Sequence, residues 1–127
     1  MRTMIAIAAV AVAAAGCSNE SWAPPPPGKE QIAVIGKSGD VPARYFLMEQ
    51  EKLPNGRLNA VVLQQFKRGK PGFPLGFQID CANGPRWNNN SGETLAAMRA
   101  ARVPDERMQM GDPSDESSQI ARWLCDK

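Results

Sequence analysis

Beyond residue 30 the apolar positions fall into short bursts separated by turn-forming residues, the pattern of a strand-rich domain. Gln31-Ile32-Ala33-Val34-Ile35 is a first burst, stopped by Gly36 and followed by a Lys37-Ser38-Gly39-Asp40 turn. Arg44 to Met48 is a second, bounded by Pro42 and by Pro54-Asn55-Gly56, and Leu58 to Phe66, with Ala60, Val61, Val62 and Leu63, reads as a central strand. Glycines and prolines between Lys67 and Gly76 predict a loop. Phe77, Ile79 and Cys81 then alternate with Gln78 and Asp80, the period-two signature of a half-buried strand whose inner face carries the cysteine. After a polar loop from Ala82 to Gly92, Glu93 to Arg102 places Leu95, Met98 and Ala101 at helical spacing with Ser91 near the start, and a strand is the alternative. Met108 and Met110 alternate with polar neighbours as a last short strand. The final element is a helix: Asp112 caps it, Pro113 takes its first position, Asp115 and Glu116 suit the positive end of its dipole, and Ile120, Trp123 and Leu124 form its apolar stripe. The fold class is therefore α+β, a small antiparallel sheet of four to five strands with a C-terminal helix.

The strongest apolar run lies outside this pattern. Met4 to Ala15 contains only Met, Ile, Ala and Val, follows Arg2, and ends in Ala14-Ala15-Gly16 before Cys17, the layout of a secretory signal. As a helix it reaches about 18 Å, against roughly 30 Å of hydrocarbon, so a permanent span is disfavoured. Ala14-Ala15-Gly16-Cys17 resembles the bacterial lipobox, with Ala where Leu is usual at the first position. That resemblance implies cleavage before Cys17, acylation of its side chain and amino group, and stable attachment to a membrane without a spanning helix. An ordinary signal peptide, leaving Cys17 a free thiol, is the alternative. By the same resemblance Ser18 points to the outer membrane. Residues 1–16 are thus expected to be a signal peptide, 17–30 a lipidated Pro-rich tether, and 31–127 a single domain. With four consecutive prolines at Pro24 to Pro27, the tether should stay extended and hold the domain up to roughly 40 Å from the bilayer. A partner groove binding the prolines, or Trp22 resting at the lipid interface, are sharper readings of the same stretch.

Assigning Cys17 to lipid leaves Cys81 and Cys125, an even pair in a compartment that permits disulfides, and these are expected to be bonded. A redox role would call for Cys-x-x-Cys spacing, which is absent. The chain has no His, which removes the commonest general base and metal ligand, so neither catalysis nor a metal or cofactor is expected. Gly36-Lys37-Ser38 lacks the upstream glycine of a phosphate-binding loop, and Asp112, Asp115 and Glu116 are explained by the helix start rather than by calcium. Asp80 reads as a solvent-facing strand residue. Two surface features remain as binding candidates. Arg57, Lys67, Arg68 and Lys70 form a basic patch suited to anionic lipid head groups, phosphates or acidic polymers, and an ordinary polar loop is the bland reading. Phe73 and Trp87 are either an exposed contact pair or the cover of a thin core. Loss of Arg2 with the leader leaves a net charge of about +1, which argues against nucleic acid as a partner.

The strand Phe77-Gln78-Ile79-Asp80-Cys81, the Pro113-Ser114 pair, the terminal Cys125 and the export signal together resemble the surface-adhesin E type of small envelope protein. The likeness differs at Val61-Val62-Leu63, where a Trp is usual, and at Asp112-Pro113-Ser114, where Pro-Gly-Ser is usual. It implies binding of a host factor or surface ligand. The expectation is an outer-membrane-anchored envelope module with a binding or structural role. An adhesin-like ligand binder and a periplasmic accessory subunit of an envelope complex are the specific alternatives.

Overall fold

The computed structural model describes residues 21–34, 42–67 and 72–127. Five strands, β1 (Glu30–Ile32), β2 (Ala43–Lys52), β3 (Leu58–Phe66), β4 (Phe73–Asp80) and β5 (Arg86–Asn88), form an antiparallel meander in chain order. Helix α1 (Leu95–Ala100), a 3-10 turn (Asp105–Arg107) and helix α2 (Glu116–Cys125) follow. The α+β class read from the sequence is the observed one.

The two faces of the sheet are built differently. One face carries Ile32, Tyr45, Leu47, Ala60, Val62, Phe77, Ile79 and Trp87, and α2 lays Ile120, Ala121 and Leu124 across them to make the core. The register sets this: Ala60 pairs with Phe77, Val62 with Leu75 and Tyr45 with Gln64, so apolar side chains stack across strands on one side. Each fully buried Phe or Ile on this face contributes roughly 1.5–3 kcal/mol of transfer free energy. The Cys81–Cys125 bond, with Cα atoms 5.6 Å apart, ties the residue following β4 to the last residue of α2. This is the expected disulfide.

The second face carries Arg44, Phe46, Asn59, Val61, Gln65, Gly76, Gln78, Asp80 and Asn88. It is not the solvent face that the alternation implied. The segment from Gly92 through α1 crosses it closely enough that a Cβ on Gly76 would lie 1.9 Å from the Gly92 carbonyl oxygen and 2.7 Å from the Met98 sulfur. Glycine at 76 is what permits that approach, and it leaves Met98 wholly buried.

Several boundaries moved for local reasons. β4 begins at Phe73, inside the stretch expected to be a loop, although it contains Pro74. Proline is tolerated because β5 pairs only with Gln78 to Asp80, leaving the outer edge of β4 at Pro74 without a neighbour in β5 that needs an N–H. β5 itself lies in the expected polar loop Ala82–Gly92. The stretch Glu93–Arg102 is helical over Leu95–Ala100, and its cap is Thr94, whose hydroxyl accepts from Ala97 N at 3.1 Å, rather than Ser91. The Met108–Met110 strand is reduced to one bridge, Trp87 to Gln109. Helix α2 starts three residues later than expected, with Asp115 as its cap, because Asp112 instead closes its own turn through Ser114 N at 3.0 Å.

Candidate functional site

The buried polar side chains of the second face gather around Arg57. Arg57 follows the Pro54-Asn55-Gly56 turn, where Asn55 accepts from Arg57 N at 3.0 Å and Gly56 takes a φ of +88°. That turn aims the guanidinium back beneath the segment that follows α1. Its Nη1 donates to Gln78 Oε1 at 2.9 Å and to the Val103 carbonyl at 2.6 Å, and its Nη2 donates to Asp105. Gln78 passes the chain on, donating to Asn59 Oδ1 at 3.1 Å. Beside it Arg86 Nη2 bonds Asp80 Oδ2 at 2.7 Å and lies 3.5 Å from Asp105, and Asn83 donates to the same Asp80 oxygen at 3.0 Å. The Arg86 guanidinium, and then Asn83, hold the Asp80 carboxyl below the usual carboxylate range. Arg57 lines two clefts, one of about 600 Å³ with Leu53, Pro54, Met98 and Val103, and one of about 370 Å³ with Asp80, Arg86 and Asp105. Both aspartates of the cluster are paired with guanidinium groups, so the arrangement braces the 101–107 segment on the sheet.

The other half of this face is occupied by the chain's own N-terminal segment. Arg44 lies between two rings, its guanidinium carbon 4.6 Å from the centre of Trp22 and 5.3 Å from that of Phe46. Arg44 Nη2 donates to the Ala23 carbonyl at 2.7 Å and Nε to Gln65 Oε1 at 2.8 Å, and Gln65 Nε2 donates to the Pro24 carbonyl at 3.0 Å. Prolines make this segment a good strap: none of Pro24 to Pro27 has a backbone N–H that needs a partner, their carbonyls remain free to accept, and φ is already fixed. The strap then turns at Pro26–Lys29, where Lys29 Nζ reaches the Met48 carbonyl at 3.2 Å, and enters β1. Residues 22–24 are therefore seated on the sheet, and β1 opens at Glu30, within the stretch read as tether.

The two described members of the basic patch, Arg57 and Lys67, do not come together. Arg57 is 9% exposed and paired, at one end of β3, while Lys67 is exposed just past the other end, about 30 Å away at strand spacing. Arg68 and Lys70 lie outside the described residues, as does Cys17. Nor are Phe73 and Trp87 a pair. Phe73 is 54% exposed and meets Phe66 edge-on at 6.2 Å, whereas Trp87 is buried in the core and donates to Ser118 Oγ at 3.2 Å. Asp80, read as solvent-facing, is buried because Arg86 and Asn83 close over it. Sequence reasoning missed Arg44 and Gln65 as strap ligands. The available signal was a cation and an amide on the polar face of strands that otherwise look central.

Among the described residues no group of three or more His, Cys, Asp and Glu could hold a metal ion, and no helix is long and apolar enough to cross a membrane. No family model matches the chain, and no curated protein or solved structure is similar enough to match it.

Proposed function

We propose that the chain is an outer-membrane lipoprotein whose domain serves the cell envelope by binding or by structural support rather than by catalysis. The observation that carries this reading is the Cys81–Cys125 bond. A structural disulfide suits an exported protein. With those two thiols joined, Cys17 is the odd cysteine, and it stands directly after Ala14-Ala15-Gly16 at the end of an apolar leader. Pairing of Asp80 with Arg86 and of the exposed Asp105 with the buried Arg57 supports a bracing role for this charged cluster.

Intact mass of the purified mature protein, taken with and without reductant, tests it. The expected result is a chain beginning at Cys17, heavier by two or three acyl chains, that gains two hydrogens on reduction. A chain with unmodified Cys17 would overturn the anchor. Protease added to whole cells then separates a surface-exposed binder, which is removed, from a periplasm-facing one, which is spared.

A further inference from the structure

We propose that the Trp22–Pro24 strap is a clamp that holds the domain flush against the membrane carrying the Cys17 lipid, with one particular end of the sheet turned to the head groups. The inference rests on the lipid anchor proposed above.

Direction of the strap is the first argument. Lys29 lies at Met48 and Glu30 pairs with Leu47, near the middle of β2, whereas Trp22 stacks on Arg44 at its beginning. Traced backward from β1, the chain therefore turns back over the sheet and by Trp22 to Pro24 lies on the Arg44–Gln65 pair, next to the start of β2 and the end of β3. Reach is the second. From Trp22 to Cys17 there are five peptide links, at most about 18 Å when fully extended. The roughly 40 Å that a free 18–30 tether would give is unavailable while the clamp is closed, since the strap is spent on the sheet. The third argument is what the described residues place at that end of the sheet. Pro42 accepts a hydrogen bond from Lys67 N at 3.0 Å, so the start of β2 and the end of β3 meet there, with the Lys67 ammonium exposed and the Phe73 ring 54% exposed beside Phe66. A cation and an exposed apolar ring within reach of an acyl anchor fit an anionic head-group layer, which attracts lysine, over an acyl boundary that takes up apolar rings. At the opposite end of the sheet stands the Pro54-Asn55-Gly56 turn, about 30 Å away along β2.

The clamp is also releasable. It consists of one guanidinium between two rings and three side-chain hydrogen bonds, all on the face away from the core, so Arg44→Ala or Trp22→Ala should free the strap and leave the α2-packed face intact.

The acylated protein, with Cys17 blocked by lipid and Cys81 bonded to Cys125, offers a single added thiol for labelling. Pro42→Cys and Lys52→Cys place a fluorophore at either end of β2. Each is reconstituted into phosphatidylethanolamine vesicles containing phosphatidylglycerol and a head-group quencher. The expected result is strong quenching at position 42 and little at 52, with the difference lost in both the Arg44→Ala and Trp22→Ala backgrounds, each checked for an unchanged cooperative melt. Equal quenching at the two positions in vesicle-bound protein, or a difference that survives release of the strap, would overturn the clamp while leaving the anchor standing. If Arg44→Ala melts poorly, Trp22→Ala decides alone, since Trp22 lies outside the core cluster. Failure of the protein to float with vesicles would overturn the anchor and the clamp together.

Discussion

Arg57 shows how a charged side chain becomes structural. Its nearest sequence neighbours make it look like a turn cation, and its partners Val103 and Asp105 are separated from it by 46 and 48 positions, a distance no local pattern reports. Arg57→Ala should cost about 1–3 kcal/mol in urea unfolding, because it strands the Gln78 and Val103 oxygens beneath the covering segment. Lys67→Ala should stay within about 0.5 kcal/mol, as expected for an exposed cation. Asp80 adds a pH dependence. Its carboxyl is held low by Arg86 in the folded chain, so its contribution is present above the unfolded carboxylate value, near pH 4, and is lost as the pH falls through the folded one. Asp80→Asn should flatten the acid side of the stability profile and leave the slope above pH 6 unchanged. Tyr45 acts at the other limit. Burial, and then its bond to Glu116 at 2.7 Å, pushes the phenol upward, so the stability it supplies is complete below about pH 10 and is lost as the pH rises beyond. Tyr45→Phe should remove that alkaline loss, measured as the melting temperature against pH.

Among the elements, those with strong periodicity were readable and those defined by contact were not. β2, β3 and α2 advertise themselves through aromatic and β-branched bursts and the Ile120/Leu124 stripe, and each is present. β5 could not be foreseen from Arg86-Trp87-Asn88, since three residues carry no period, and it exists because Ile79 and Gln78 offer it an edge. The helix start at Asp115 rather than Asp112 reflects two capping residues three apart, of which only one can cap. Gly76 belongs to a stretch whose glycines and prolines predict a loop, and it is instead the floor beneath α1. Gly76→Ala should destabilise by about 1–3 kcal/mol through overpacking. Hydrogen exchange should localise the damage, with protection falling across Gly92 to Val103 and holding in α2.

For the molecule as a whole, the Cys81–Cys125 bond and the core between the sheet and α2 explain how so small a domain can be stable. Closing 44 residues corresponds to about 4 kcal/mol in the chain-entropy treatment, so reduction of Cys81–Cys125 should lower the melting temperature markedly. The candidate site was less legible than the fold. Cysteine parity pointed to the bond, yet the second face of the sheet, with its Arg57 cluster and Arg44 clamp, depends on long-range pairings that alternate with core positions and so resemble a wetted surface.

The same bond gives the molecule a mechanical character. Tension applied between the N-terminal strap and Lys127 passes from Asp126 through Cys125 directly into Cys81, so the residues between them carry no load. The strap and β1 lie on the loaded path, held by few contacts, and should peel first. The part of the chain shielded by the bond, 44 positions, hides about 150 Å of contour. A single molecule pulled from its two ends should lengthen by that much more after reduction than before, and in the oxidised state α2, inside the shielded stretch, should bear none of the force.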